Sequence, residues 1–365
     1  MDPGKKLKEI YNRSYFIDDI ASMPADIRGH IGVIAKYAFT QKGVYTVLIT
    51  LITYKILYPS QDIRYHQSSM QGGFSGRTVD TQYITPTLKE LELPSMAESG
   101  WLTRSLEQPF PYTLDYGGHI SSRPVKTAFL NIINYIQNNP SSCEDVLRLL
   151  LNGVIEIKKL NKVSIVPLIN PERLTIEKTV QALRSHFTFN YGTHGGAKLP
   201  VIALYAIYQF LTKELTRYQN CSVGPLGSHT ASDRTSGTAG DIQVFKNNKL
   251  FEVVEIKLDK EIDQTLIRIA REKIVKFNPR RYYILSDRGV KGSESSTISQ
   301  LITDVKRDHG CQIILNGVIP TIRYYLRLIS SVEDFIERYS YLIAADPELQ
   351  RIHKEKWNEI VSTLG

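Results

Sequence analysis

Three side chains in this 365-residue sequence have the types and spacing to act together, namely Asp241, Glu255 and Lys257. Side chains alternate along a β-strand, so Glu255 and Lys257 share a face, roughly 7 Å apart at about 3.3 Å per residue. A three-residue loop over 247–249 would pair Lys246 with Leu250 and set Asp241 opposite Glu255, with the two carboxylates about 5 Å apart. Facing like charges destabilise a sheet unless something positive lies between them, and such a pair suits a hard divalent cation such as Mg²⁺. Lys257, next along that face, could hold a phosphate oxygen or a metal-acidified water, which is the equipment for hydrolysing a phosphodiester.

The elements that must position these residues lie in the run GDIQVFKNNKLFEVVEIK, 240–257. Ile242, Val244, Val253, Val254 and Ile256 are β-branched, Phe245 and Phe251 also favour strands, and Asn247 and Asn248 supply turn chemistry. Lys246, Lys249 and Glu252 fall near the turn, where charge is expected to be solvated. A bare Glu-x-Lys is weak evidence, since Glu156-Ile157-Lys158 repeats it and Asp304-Val305-Lys306 is a further variant. The first follows a helical run without a Gly-Asp strand before it. The second lies in an expected helix, where residues two apart do not share a face. One alternative is an edge hairpin whose Glu255 and Lys257 make surface pairs worth under about 1 kcal/mol. Another is a degenerate, inactive core. Apolar residues on both faces argue for a central hairpin, where unpaired charge is costly.

Gly240-Asp241, then Glu255-Ile256-Lys257 at the end of the next strand, followed by a helix and another strand, resembles the PD-(D/E)XK nuclease core, most closely type II restriction endonucleases. The resemblance covers roughly 195–316, and Gly240 stands where proline is often written. It implies that Asp241, Glu255 and the carbonyl of Ile256 bind Mg²⁺ and that Lys257 assists the attacking water. It further implies an α/β fold, a mixed central sheet with large helical N-terminal and C-terminal additions. The implied function is sequence-specific hydrolysis of double-stranded DNA by a homodimer, with a DNA methyltransferase as a genetic partner. A DNA repair or junction-processing nuclease with the same core is the nearer alternative. A non-catalytic DNA-binding module is the more distant one.

Composition agrees with an anionic partner. The formal net charge is +8 and the pI about 9.1, with 42% hydrophobic and 22% charged residues, as in a globular protein that meets nucleic acid. Cys143, Cys221 and Cys311 form no CxxC pair, which argues for a reducing compartment and against zinc. The N-terminal stretch lacks an apolar signal core, and the apolar run 44–58 is too short to span a bilayer. The expected location, by elimination, is the prokaryotic cytoplasm.

Along the chain we expect a helical and loop-rich region over 1–190, a nuclease core over 191–319 and C-terminal helices over 320–365. Helices are expected over 5–11, 27–39 and 43–58, the last apolar on most faces and so buried scaffold. The irregular segment 61–119 interleaves glycines, aromatics and arginines and resembles restriction enzymes that accompany cytosine-5 methyltransferases. Arg64, His66, Arg77 and Arg104 are its candidate DNA contacts. The alternative is a loop packed by Trp101, Phe110 and Tyr112. Residues 124–188 are expected to be helical, with a charged connector over 156–162. A glycine loop at 190–196 follows, whose His194 is expected to be structural. The next helix, 200–218, carries Glu214 as an outside candidate for the metal. In the polar loop before Asp241, Ser228, Ser232 and Arg234 are candidate contacts to the DNA backbone. The helix 261–277 carries Arg268, Arg271, Lys273 and Lys276 on a face expected to be solvated. Strands over 281–285 and 312–315 flank a helix over 297–309, and three helices close the chain.

Overall fold

The computed structural model describes residues 2–17, 20, 23–96, 110–193, 195–226 and 238–364. The candidates Arg104, Ser228, Ser232 and Arg234, and with them Trp101 and His194, lie outside these residues. The chain divides into two units, Met1–Leu160 and Asn161–Gly365. Residues 161–190, grouped with the N-terminal region from sequence, therefore belong to the second unit. Their helix packs into that unit's core through Val180 and Leu183.

The first unit is helical. It contains α1 (Pro3–Arg13), α2 (Ala25–Tyr37), α3 (Lys42–Leu57), the short α4 (Gly76–Val79), α5 (Thr85–Glu90), α6 (Arg123–Asn138) and α7 (Cys143–Leu160), with a π-helical turn, Asp80–Ile84, between α4 and α5. Asp2 caps α1 by accepting from the Lys5 amide at 3.0 Å. Helix α3 is buried from Gly43 to Thr53, which is why it shows no polar face. Helix α2 packs on α6 and α7.

The second unit is α/β. Helices α8 (Ile176–Thr188) and α9 (Leu199–Glu214) precede β1 (Cys221–Val223), β2 (Ile242–Lys246) and β3 (Lys249–Lys257). Then come α10 (Gln264–Phe277), β4 (Arg281–Ser286), α11 (Ser295–His309), β5 (Gln312–Gly317), α12 (Val318–Leu326), α13 (Val332–Ala345) and α14 (Arg351–Ser362). The strands form one mixed sheet in the order β1-β2-β3-β4-β5. The β1–β2 and β2–β3 pairs are antiparallel, whereas β3–β4 and β4–β5 are parallel. The crossovers through α10 and α11 impose the parallel half. Strand β3 is the middle strand.

Each face of the sheet has its own apolar cluster. Ile242, Val244, Val254, Ile256 and Leu285 join residues of α8, α9 and α12 to α14. Val253, Tyr282, Ile284 and Ile313 join Leu266, Ile267, Ala270 and Ile274 of α10 and Ile298 and Val305 of α11. Burial on both faces explains why β3 reads as a nearly continuous apolar run.

The β2–β3 turn differs from the sequence expectation. Lys246 pairs with Lys249, so the turn is Asn247-Asn248, two residues with φ of 50° and 62°. That is the left-handed geometry of a type I′ hairpin, which asparagine tolerates. Phe245 then pairs with Leu250 but Val244 pairs with Glu252, leaving Phe251 as an extra residue on β3. The bulge restores the one-residue offset that the shorter turn removes. From there on Ile242 faces Val254, and continuing the register by one residue sets Asp241 against Glu255.

Candidate functional site

Asp241 stands one residue before β2 and behaves as part of the sheet. Its Oδ2 accepts from the Ile256 amide at 2.7 Å, so the carboxylate takes a place that a backbone carbonyl would otherwise fill. This bond fixes Asp241 beside the end of β3, where Glu255, Ile256 and Lys257 follow one another. Gly240 is what permits the approach. A Cβ there would lie 2.5 Å from Val253 Cγ1, 3.1 Å from the Val254 carbonyl and 3.2 Å from Glu255 Oε2.

Glu255 is 2% exposed and lies on the α10 side of the sheet with Val253 and Lys257. Lys257 Nζ donates to its Oε1 at 2.6 Å. Its Oε2 accepts from Lys273 Nζ of α10 at 3.1 Å and from the Tyr282 hydroxyl of β4 at 3.2 Å. That hydroxyl also lies 2.9 Å from the Ala239 carbonyl. Burial, followed by the negative charge of Glu255, pushes the Asp241 carboxyl up to about 7. The two acids are thus near enough to repel, and two ammonium groups offset them.

Asp241 and Glu255 are the residues here that could hold a hard divalent cation. Asp241 and Glu255 offer carboxylate oxygens from adjacent chain segments, and the backbone at Ile256 lies between Glu255 and Lys257. Among the described residues no third Asp, Glu, His or Cys joins them as a metal-binding group. Family models and curated proteins give no match to this chain. What the site can do therefore follows from its own chemistry.

Beyond the C-terminal ends of β3, β4 and β5 lies a cavity of about 820 Å³. It is lined by Leu258 and Asp259, by Arg288, by Ile319 and by residues on either side of position 194, among them Asn190, Tyr191, Gly195 and Ala197. Ligands of open α/β sheets bind in crevices at strand ends of this kind. Here the crevice begins one residue past Lys257. Tyr191 holds the loop by donating to the His186 carbonyl at 2.7 Å and packing its ring 4.2 Å from that of His353.

Two residues of the site were missed in the sequence. Lys273 was read as part of a solvated basic face, and Arg268, Arg271 and Lys276 are indeed exposed. Lys273 is buried, and its spacing says so, because Leu266, Ala270 and Lys273 follow one another at i, i+4 and i+7 on the apolar stripe of α10. Tyr282 carried no such signal. Its role depends on the parallel pairing of β3 with β4, which sets it beside Val253.

Glu252 also departs from expectation. Strand alternation puts it on the α9 side with Val254 and Ile256, fully buried, where Arg217 pairs with it, the Tyr218 hydroxyl donates at 2.9 Å and Arg281 lies at 3.7 Å. It ties the chain before β1 to the sheet. The competing motifs are ordinary helix-surface residues: Glu156 pairs with Lys159 and Lys158 with Glu92, while Lys306 donates to the Gly310 carbonyl at the end of α11. Glu214 accepts from the Ser330 amide at 2.7 Å and does not join Asp241 and Glu255.

Among the candidate DNA contacts, Arg64 is engaged by Asp62 through Nε at 2.9 Å and Nη2 at 2.6 Å. His66 is buried, stacks on Tyr112 with ring centroids 3.9 Å apart and has Nε2 3.3 Å from the Phe110 carbonyl. Burial pushes its pKa down to about 4, so it is a neutral packing residue. Backbone bonds from Phe74 to Tyr65 and from Gly76 to His66 make this part of the irregular segment a built scaffold. Arg77, on α4, is exposed. Among the described residues no helix is long and apolar enough to cross a membrane.

Proposed function

We propose that this protein is a Mg²⁺-dependent, site-specific endonuclease for double-stranded DNA, of the PD-(D/E)XK restriction type. The observation that carries the reading is the convergence of Asp241, Glu255 and Lys257 at the end of the central strand, on the pairing that sets both acids together. Asp241, Glu255 and the Ile256 carbonyl would hold the cation, which when bound polarises the phosphoryl group and acidifies water. Lys257, an ammonium held at 2.6 Å from Glu255, is placed to donate to an oxygen of the scissile phosphate or to orient the attacking water. Ile256 serves twice, its amide fixing Asp241 and its side chain anchoring β3 in the core. One such site cuts one strand, so cutting both strands of a palindrome calls for a two-fold homodimer.

The test is incubation of the full chain with mapped plasmid DNA and Mg²⁺, against parallel reactions containing a chelator and with Asp241→Ala. Discrete fragments that depend on both Mg²⁺ and Asp241 support the reading, with the variant slowed by about a hundredfold or more. Intact plasmid, or the same fragments from Asp241→Ala, would sink it. Cutting confined to branched DNA would move the assignment to junction processing.

A further inference from the structure

Lys273 has no place in the Glu-x-Lys motif, yet its ammonium lies 3.1 Å from the buried carboxylate of Glu255. It comes from a different element, α10, and its side chain is 10% exposed against 16% for Lys257. The Tyr282 hydroxyl braces the same Glu255 oxygen. The charges that meet here are Asp241 and Glu255 on one side and Lys257 and Lys273 on the other. A divalent cation alone enters a site whose negative charge is already matched, whereas a phosphodiester brings negative charge with it. We infer that Lys273 is a positioning residue that holds Glu255 and keeps the site from retaining a divalent cation until a DNA phosphate arrives. This rests on the reading of Asp241 and Glu255 as the cation seat.

Burying an amine against a carboxylate that already has one costs desolvation, and the return is electrostatic control of that carboxylate. Lys257 is the more exposed of the two and stands at the end of β3. Lys273, enclosed between α10 and the sheet, stays with Glu255.

The test uses the full chain without DNA and Mn²⁺ alone as the probe, titrated calorimetrically at about pH 8.5 so that free carboxylates are ionised. Lys273→Met should bind Mn²⁺ about tenfold tighter or more than wild type, since a full positive charge within a few ångströms of the ion is gone. Lys273→Arg, which keeps the charge, should stay near wild type. Should Lys273→Met fail to fold, Lys273→Gln makes the same change of charge with a polar side chain. Equal or weaker Mn²⁺ binding by a folded neutral variant overturns the inference while leaving the cation seat standing. If adding Asp241→Ala to Lys273→Met leaves Mn²⁺ binding undiminished, the ion is elsewhere and the seat itself is refuted.

Discussion

Gly240 shows how much of the site depends on one missing side chain. Any Cβ at this position meets Val253 and the Val254 carbonyl, so a proline, the residue often written here in the motif, would clash as alanine does. Gly240→Ala should displace Asp241 from the Ile256 amide and cost about 1–3 kcal/mol through overpacking. Urea unfolding should show that loss, and Mn²⁺ titration should show weaker binding; an unchanged midpoint would mean that Val253 yields freely. The acids themselves were legible, because strand alternation and the turn asparagines constrain where Asp241 and Glu255 can lie. Lys273, expected on a solvated face, had its burial marked in the sequence only by its place on the apolar stripe of α10. The partner of Arg64, Asp62, is only two residues away in the run QDIR, so their ion pair is local in the sequence.

At the scale of elements, the hairpin is the part whose outcome was right by a route that was wrong. The expected three-residue loop and the observed two-residue turn with a bulge give the same pairing for Asp241. Sequence alone does not separate them, because an asparagine pair serves either turn and an apolar Leu-Phe step accommodates a bulge without a polar mark. Glu252, expected to be solvated near the turn, is buried because alternation sets it on the face of Val254 and Ile256, against Arg217 and Tyr218. Asn248, at φ 62°, is the residue most exposed to test. Asn248→Val places a β-branched side chain in the left-handed region and should cost about 1–2 kcal/mol. Urea unfolding with an unchanged slope would register it, and a loss near zero would argue that the turn rearranges.

For the whole molecule, the division at Leu160 falls within the charged run 156–162, a marker present in the sequence but outweighed there by the helical character that continues to 188. The second unit carries the complete candidate site and a buried histidine, His186. Its Nδ1 meets the Tyr339 hydroxyl at 2.9 Å and its Nε2 the His353 carbonyl at 3.0 Å. Burial pushes its pKa down to about 3. Since the folded value lies below the unfolded one near 6.5, its contribution to stability is whole above about pH 6.5 and is lost as pH falls toward 3. Wild type should therefore lose stability relative to His186→Gln between pH 6.5 and 4, by up to about 1.4 kcal/mol per pH unit. Comparing the two proteins cancels the acids that titrate in the opposite sense, and parallel urea midpoints across that range would contradict the linkage.

The short turn and the spare residue at Phe251 form a compensated pair, and inheritance can act on either member. Lengthening the turn by one residue, or deleting Phe251, would slide one carboxylate away from the other. Making both changes at once would return them to their partners. Each lesion is thus a suppressor of the other, and descendants of this hairpin are free to differ in loop length while keeping the same two acids in step.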